Sequence, residues 1–340
     1  VYKYASTYPN QVGLGAIISS WGNRNLEWQK TIDQNFGIDL AFLDNRLKLT
    51  VDYFYKNTDP LLVYVQLPSS TGTTQAPMNM GKQVTKGTTM VLNGTVLRTE
   101  DISWNLNFNM RHITSEYRNI GNLLDKYNKE NRSSNLTRFY DGGSPTDLWA
   151  VRSAGIDPAS GREVFIKKDG TQTFKFDYDD EVVVGNTEPK YEGVIGTSFY
   201  YKGFSVSVNL RYRWGGQIFM NTLYNKVENI SEWALKNNQD KRALYDRWQK
   251  PGDVAKFKAI SLTETTPISS RFVKDENTLS GESISIGYET QAAALKKYGI
   301  SSLTVRGYMN DIFRISTVKD ERGLDYPFAR SVSFSLGLTF

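Results

Sequence analysis

Ser331-Val332-Ser333-Phe334-Ser335-Leu336-Gly337-Leu338-Thr339-Phe340 alternates without a break: Val332, Phe334, Leu336, Leu338 and Phe340 share one parity, with serine, glycine and threonine on the other. A period of two marks an extended strand, whose successive side chains point to opposite faces. Residues 331–340 also have the length with which a tilted strand crosses a bilayer's hydrocarbon layer, roughly 9–11 residues. The segment ends on the aromatic itself, the form expected of the closing strand of an outer-membrane barrel. Taken alone, the segment favours the barrel, with an edge strand of a soluble sandwich as the plainer alternative.

Upstream segments alternate in the same way and come in pairs. Ile32, Phe36, Ile38, Leu40 and Phe42 share one parity, and Leu47, Leu49, Val51, Tyr53 and Tyr55 another, across the turn-forming pair Asp44-Asn45. With those two at the turn, Phe42 lies opposite Leu47, Leu40 opposite Leu49 and Ile38 opposite Val51, so apolar meets apolar at every step, as correct register demands. A second hairpin turns at Lys202-Gly203 and places Tyr201 against Phe204 and Phe199 against Val206. A third turns at Thr99-Glu100-Asp101, setting Val96 against Trp104 and Leu92 against Phe108. A fourth runs from Ile284, Ile286 and Tyr288 to Leu303 and Val305. With the closing strand, the periodicity predicts about nine strands. Single-chain bacterial barrels carry an even number, and the approach from Val1 to Lys30 has room for the outer end of a tenth.

The connections sort by edge. Three of the hairpin turns are tight, whereas the connections between hairpins span 57–86, 113–191, 215–278 and 310–330. Short turns on one edge and long excursions on the other are the asymmetry of a transmembrane barrel, with periplasmic turns and extracellular loops. A soluble sandwich has no reason to sort its loops this way. The expected fold is therefore all-β, an antiparallel transmembrane β-barrel arc. An open arc leaves an unpaired edge in lipid, so these strands are expected to belong to a larger barrel.

Composition agrees. The 340 residues include 20 Tyr, 17 Phe, 7 Trp and 27 Gly, and no stretch approaches the roughly 18 consecutive apolar residues of a membrane helix. Barrel strands expose only alternate residues to lipid, so that absence does not argue against a membrane. There is no cysteine, hence no disulfide framework or thiolate metal site. The net charge of +5 comes from scattered Lys and Arg, and no basic run suggests nucleic acid. Val1-Tyr2-Lys3-Tyr4 has neither an initiator Met nor a signal peptide, and reads as a cut inside a longer chain.

Parity assigns the faces. A charge on the lipid face near the midplane costs about 2–4 kcal/mol, so Asp52 and Arg211 must point inward. With them go Lys48, Thr50, Asn105, Asn107, Asn109, Arg111, Ser207, Asn209 and Arg213. Asp52, Asn107, Asn109, Arg111, Asn209, Arg211 and Arg213 are the candidate substrate-facing residues of the lumen; the plainer reading is solvation of a barrel wall. Tyr53, Tyr55, Trp104, Tyr201, Tyr212, Trp214 and Phe340 suit an interfacial aromatic girdle.

Signals for chemistry are sparse. His112 is the single histidine, which excludes paired-histidine metal motifs and leaves no companion set for a nucleophile. Gly81-Lys82 lacks the spacing of a phosphate loop. Asp177, Asp179, Asp180 and Glu181 form an acidic cluster, where calcium by oxygen ligands is one reading and a solvated loop the other. No other cofactor is expected. Trp233, Leu235, Leu244, Tyr245 and Trp248 give a rough helical stripe with Ser231 at its start. The stripe is either a packing helix within a folded loop or a partner surface carried by Trp233, Tyr245 and Trp248.

Several motifs resemble one family. Gly22-Asn23-Arg24-Asn25-Leu26-Glu27-Trp28-Gln29-Lys30-Thr31, Leu43-Asp44-Asn45-Arg46-Leu47 with Val51-Asp52-Tyr53-Phe54-Tyr55, and Ala154-Gly155-Ile156-Asp157-Pro158 with Gly161-Arg162 are similar to stretches of SusC/RagA-type TonB-dependent transporters. So are Gly185-Asn186-Thr187-Glu188-Pro189-Lys190-Tyr191, Tyr245-Asp246-Arg247-Trp248 with Lys250-Pro251-Gly252-Asp253, Ser269-Ser270-Arg271-Phe272-Val273, and Tyr326-Pro327 with Arg330. They occur in family order across the chain. Departures are local: Ser280-Gly281-Glu282 replaces a more hydrophobic strand start, and Met309-Asn310-Asp311-Ile312-Phe313 replaces the usual turn sequence.

The resemblance implies the C-terminal portion of a longer protein whose barrel has about 22 strands around a plug. Plug and TonB box would then lie outside residues 1–340. It also implies a bacterial outer-membrane importer, not an enzyme, that takes up oligosaccharides or peptides. Implied partners are a SusD-like surface lipoprotein as lid, the TonB-ExbB-ExbD system acting through the plug, and outer-membrane lipid. Phe340 would be the terminal aromatic read by the barrel-assembly machinery. An adhesin or surface-assembly barrel that binds a partner without transport is the alternative, and an extracellular glycan-binding sandwich a third.

Overall fold

A computed structural model describes residues 3–10, 13–20, 22–67, 69–73, 75–122, 124–261, 264–319 and 330–340. The Tyr326-Pro327 part of the last motif lies outside these residues. The chain opens with β1 (Lys3–Asn10) and β2 (Gly13–Ser20), which pair with each other. The wall begins with the hairpin of β3 (Lys30–Phe42) and β4 (Leu47–Asp59). An excursion carrying β5 (Leu62–Gln66) and β6 (Gln75–Asn79) returns as β7 (Lys82–Arg98) and β8 (Ile102–Arg118). The next excursion holds α1 (Asp125–Asn131) and the strands β9 (Asp147–Ile156), β10 (Glu163–Ile166), β11 (Gln172–Thr173) and β12 (Glu181–Asn186). The wall resumes as β13 (Tyr191–Tyr201) and β14 (Phe204–Phe219). A further excursion, with α2 (Arg242–Tyr245), leads to β15 (Val273–Thr290), α3 (Ala293–Lys296), β16 (Ser302–Ser316) and β17 (Val332–Thr339).

Nine strands make one antiparallel sheet in the order β17-β16-β15-β14-β13-β8-β7-β4-β3. The expected closing strand is its edge, with Leu336 opposite Val305 and Phe334 opposite Gly307. β1 and β2, in the stretch expected to hold a tenth strand, form a sheet of their own.

The hairpin registers follow from their turns. Phe42 pairs with Leu47, Leu40 with Leu49 and Ile38 with Val51, around Asp44 and Asn45 at φ 53° and 65°. Positive φ at both central residues matches the twist of the flanking strands. Lys202 and Gly203, at φ 46° and 91°, do the same and set Tyr201 against Phe204. The β7–β8 hairpin departs from expectation. Leu92 faces Phe108, but a bulge between Thr95 and Leu97 brings Leu97, not Val96, opposite Trp104, because the extra residue leaves two positions facing one.

Several strands are longer than a bilayer crossing needs. β7 and β8 have 17 residues each and β15 has 18, against the roughly 9–11 a bilayer needs. The excursions are accordingly shorter than the expected 57–86, 113–191, 215–278 and 310–330, beginning and ending on strands that stand beyond the apolar band. They are also folded. Three buried apolar clusters among the described residues lie in this outer layer: Leu61, Met80, Tyr117, Ile120 and Leu124 in one, Val227, Ile230, Ala243, Phe257 and Phe272 in another, and Leu136, Leu148, Ala150 and Ile268 in a third. A barrel wall needs no such core, because its apolar side chains face outward; Phe36 and Phe334 are 65% and 80% exposed. Residues 231–248 do not form the expected continuous helix. Ser231 Oγ accepts from Ala234 N at the turn Ala234–Lys236, and α2 follows separately.

Candidate functional site: the polar wall and its outer layer

The seven candidate substrate-facing residues fall on the polar face, in three adjacent tiers. Nearest the tight turns, register joins Lys48, Asn93, Asn107, Gly196, Asn209 and Ser283 across consecutive strands. The middle tier holds Thr50, Val91 and Asn109 on one side and Arg211, Ser280 and Arg314 on the other. The outermost tier joins Asp52, Thr89, Arg111, Glu192, Arg213 and Thr278.

The tiers differ in chemistry. In the lowest, a Cβ at Gly196 would stand 2.0 Å from Asn107 Oδ1 and 2.7 Å from Asn209 Oδ1, so only glycine lets both carboxamides lean into the gap. Asn209 Nδ2 donates to Ser283 Oγ at 3.0 Å, while Asn107 stays exposed. Lys48 and Arg98 border the same concavity, about 830 Å³. In the middle tier Asn109 serves the wall itself: Oδ1 accepts from Val194 N at 2.7 Å, and its carbonyl accepts from Tyr212 Oη at 3.0 Å.

The outer tier carries a ladder of alternating charge that ends on Arg314 of the middle tier. Arg111 lies 3.6 Å from Glu192, Glu192 3.7 Å from Arg213, Arg213 3.8 Å from Glu276, and Glu276 2.9 Å from Arg314. Glu188 adds a second acid 3.8 Å from Arg111. Such half-exposed pairs contribute about 0.2–1 kcal/mol each; their larger effect is to hold both signs fixed on a wet surface. Asp52 takes a hydrogen bond from Thr89 Oγ1 at 3.3 Å. Arg211 pairs with Glu282, which a bulge between Gly281 and Ser283 turns onto this face. Glu192, Glu276 and Arg314 were not among the expected residues. Glu192 shares the parity of Ser198, a usable signal; Glu276 lies beyond a register shift that reverses the parity count of β15, whereas Arg314 keeps the parity of Arg306 and Asn310 but falls within 310–330, expected as a connection.

On the opposite face, aromatics gather at both ends. Tyr201, Phe204 and Tyr288 stand by the tight turns, with Phe204 and Tyr288 rings 4.5 Å apart, and Tyr191 pairs with Trp214 at the other end. Tyr212 stacks on Phe108 at 5.9 Å and so serves the wall more than a girdle.

The motif residues build the outer layer. Asp157 Oδ2 accepts from the Ser160 hydroxyl and amide at 2.5 and 3.0 Å, and that hydroxyl bond, with backbone amides, holds its carboxyl below the usual range. Asn186 accepts from Thr146 Oγ1 and donates to Asp147, while its amide donates to Gln217 of β14 at 2.8 Å; one residue ties the outer sheet to the wall. Arg271 bridges Glu163 at 3.0 Å and Glu228 at 2.8 Å. Burial alone would lower its guanidinium, but the two carboxylates overcome this and hold it above the ordinary value. Arg138 is 1% exposed and paired with Glu181. His112 Nδ1 sits 2.6 Å from the Lys190 carbonyl.

Of the three expected partner residues, Trp233 and Tyr245 are 74% and 77% exposed, whereas Trp248 is committed inward, donating to Pro158 O at 2.8 Å. The acidic cluster does not converge: Asp179 pairs with Arg132, Glu181 with Arg138, and Asp180 accepts from Lys168 N. Among the described residues no group of three or more His, Asp or Glu is placed to hold a metal. Phe340, 80% exposed, follows the last paired residue of β17.

Comparison with known proteins gives this wall its relatives. The chain is 25% identical over 338 residues to the TonB-dependent receptor SusC of Bacteroides thetaiotaomicron, covering 93% of this chain and 32% of SusC. It is 24% identical over 339 residues to TonB-dependent receptor P39 of Formosa agariphila, covering 86% and 32%. Among solved structures, the RagAB peptide transporter superposes with a TM-score of 0.79 at 20% identity, covering 94% of this chain and 35% of that one. The chain thus spans about a third of the length of the relatives it matches. Residues 2–235 match the family described as TonB dependent receptor-like, beta-barrel, and the chain belongs to that family.

Proposed function

We propose that the protein is an outer-membrane, TonB-dependent importer of large polar nutrients, oligosaccharides or peptides, working with a SusD-like lipoprotein lid. The observation that carries the reading is the polar wall: carboxamides, hydroxyls and paired charges in three tiers behind an apolar outer face. Such a lumen suits hydrated solutes, and binding them involves no covalent step, so no catalytic role is assigned. Asn107, Asn209, Arg111 and Arg213 are the side chains best placed to meet cargo, with Asp52 and Arg211 beside them and Asn109 acting through the wall. Trp233 and Tyr245 offer the lid a surface, and the TonB-ExbB-ExbD system delivers energy through a plug outside residues 1–340.

The test is uptake of fluorescent oligosaccharides and peptides by cells carrying the full-length protein, with and without a protonophore. Import predicts accumulation that needs the membrane potential. Surface binding that persists without internalisation supports the adhesin reading, which the exposed Trp233 and Tyr245 would serve equally well.

A further inference from the structure

The outer layer contains a cleft of about 470 Å³ between the turn after β9 and the segments 258–261 and 264–267, a size typical of ligand sites. A hydrogen bond from Ala259 N to Gly161 O, 3.2 Å, lays the two segments side by side. This brings two cations to the same wall, Arg162 and Lys258. The Arg162 guanidinium lies 5.0 Å from the Phe174 ring centroid, and neither cation has an ion pair among the described residues. Of the two lining carboxylates, Glu163 is spent on buried Arg271 and Glu264 is exposed, which leaves the cleft net positive.

Its floor is aromatic. Phe165 and Phe176 meet edge to face at 75°, and Phe176 meets Tyr178 at 88°, while Arg162 covers one face of Phe174. The Phe165 and Phe176 rings, 5.2 Å apart, pack on each other, and Phe174, 44% exposed, gives the cleft an apolar surface that an apolar side chain can cover. We infer that this cleft binds the C-terminal end of a peptide, its last apolar side chain against Phe174 and its carboxylate on Arg162 and Lys258. That the peptide is cargo rests on the importer reading; the binding itself does not.

Calorimetric titration of the full-length protein in detergent tests this, using an acetylated tetrapeptide of three glycines and a C-terminal leucine. The free acid is expected to bind at least about ten-fold tighter than its amide, the effect of charge-assisted hydrogen bonds. Replacing the leucine by glycine weakens binding, as does Phe174→Ala. Arg162→Gln with Lys258→Gln, in protein that elutes as wild type, abolishes the preference for acid over amide. Equal binding of acid and amide to wild type overturns the inference. So does tetragalacturonate binding that Phe174→Ala removes while the peptide fails to bind, which would assign the cleft to an acidic glycan. Loss of energised uptake with peptide binding intact counts against the importer, not the cleft.

Discussion

Trp248 closes over Gly161. Its indole Nε1 donates to Pro158 O at 2.8 Å, and a Cβ at Gly161 would stand 2.4 Å from the ring. Gly161 also has φ 68°, where other residues are strained. Two motifs far apart in the chain are thereby locked as one unit. Gly161→Ala is expected to destabilise this unit by about 1–3 kcal/mol, seen as faster hydrogen exchange at 157–162 with the barrel strands unchanged. Exchange at wild-type rates would mean that the indole moves aside freely.

Arg247 should resist even conservative replacement. It is 7% exposed, and its guanidinium donates to the carbonyls of Ala243, Lys258, Val227 and Glu228. Burial lowers its pKa from the ordinary arginine value, yet it stays charged at neutral pH. A lysine ammonium cannot span this fork of acceptors, so Arg247→Lys leaves carbonyls unpaired at about 1–3 kcal/mol. Limited proteolysis of the 220–272 excursion should quicken, and an unchanged cleavage rate would contradict the assigned role.

The wall was legible in the sequence where strands are regular. Phe42 and Leu47 alternate in step with their partners, and the seven candidate lumen residues follow from that parity. It failed at bulges, since a single extra residue exchanges the faces: hence Leu97 in place of Val96, and the missed Glu276; Arg314 keeps the parity of Asn310 but falls in a stretch that reads as a connection. The outer layer was not legible, because its cores join distant residues such as Leu136 with Ile268 and Val227 with Phe272. The apparent helical stripe of 231–248 misled for a physical reason: Trp233, Leu244 and Tyr245 are exposed and never formed a buried face.

Asp240 gives that same segment a pH dependence. Its side chain takes hydrogen bonds from the Arg242 guanidinium and amide, which lower its pKa from 3.8 to about 2. A depressed folded-state pKa stabilises above the unfolded value and loses that contribution as pH falls through the folded one. The turn at α2 should therefore be intact above pH 3.8 and loosen as pH drops toward 2. Pepsin cleavage at Leu244-Tyr245 should rise over this interval in wild type, and should already be high at its upper end in Asp240→Asn. Equal cleavage of the two proteins throughout would exclude the mechanism.

The charge ladder should act through its pattern more than through any one pair. Arg213 and Glu276 are 3.8 Å apart with side chains 39% and 14% exposed, so a double-mutant cycle of Arg213→Gln and Glu276→Gln should give a coupling of about 1 kcal/mol or less. Reversal is different. Arg213→Glu sets three acids side by side at Glu192, 213 and Glu276, and should slow uptake of anionic more than cationic cargo. Equal effects on both, in protein that inserts normally, would deny the ladder a part in the cargo path.

Phe340 extends the apolar parity of β17 one step past Thr339, whose carbonyl accepts from Ser301 N at 2.6 Å. Its ring is 80% exposed and is taken to meet lipid or the assembly machinery rather than the side chains of β17. Deletion of Phe340 is therefore expected to lower the amount of inserted protein several-fold while the barrel that does insert unfolds at the wild-type temperature. Phe340→Trp should restore insertion and Phe340→Ser should not, since an aromatic anchors at the interface and a hydroxyl does not. A uniform drop in unfolding temperature across all three variants would instead make Phe340 an ordinary contributor to stability.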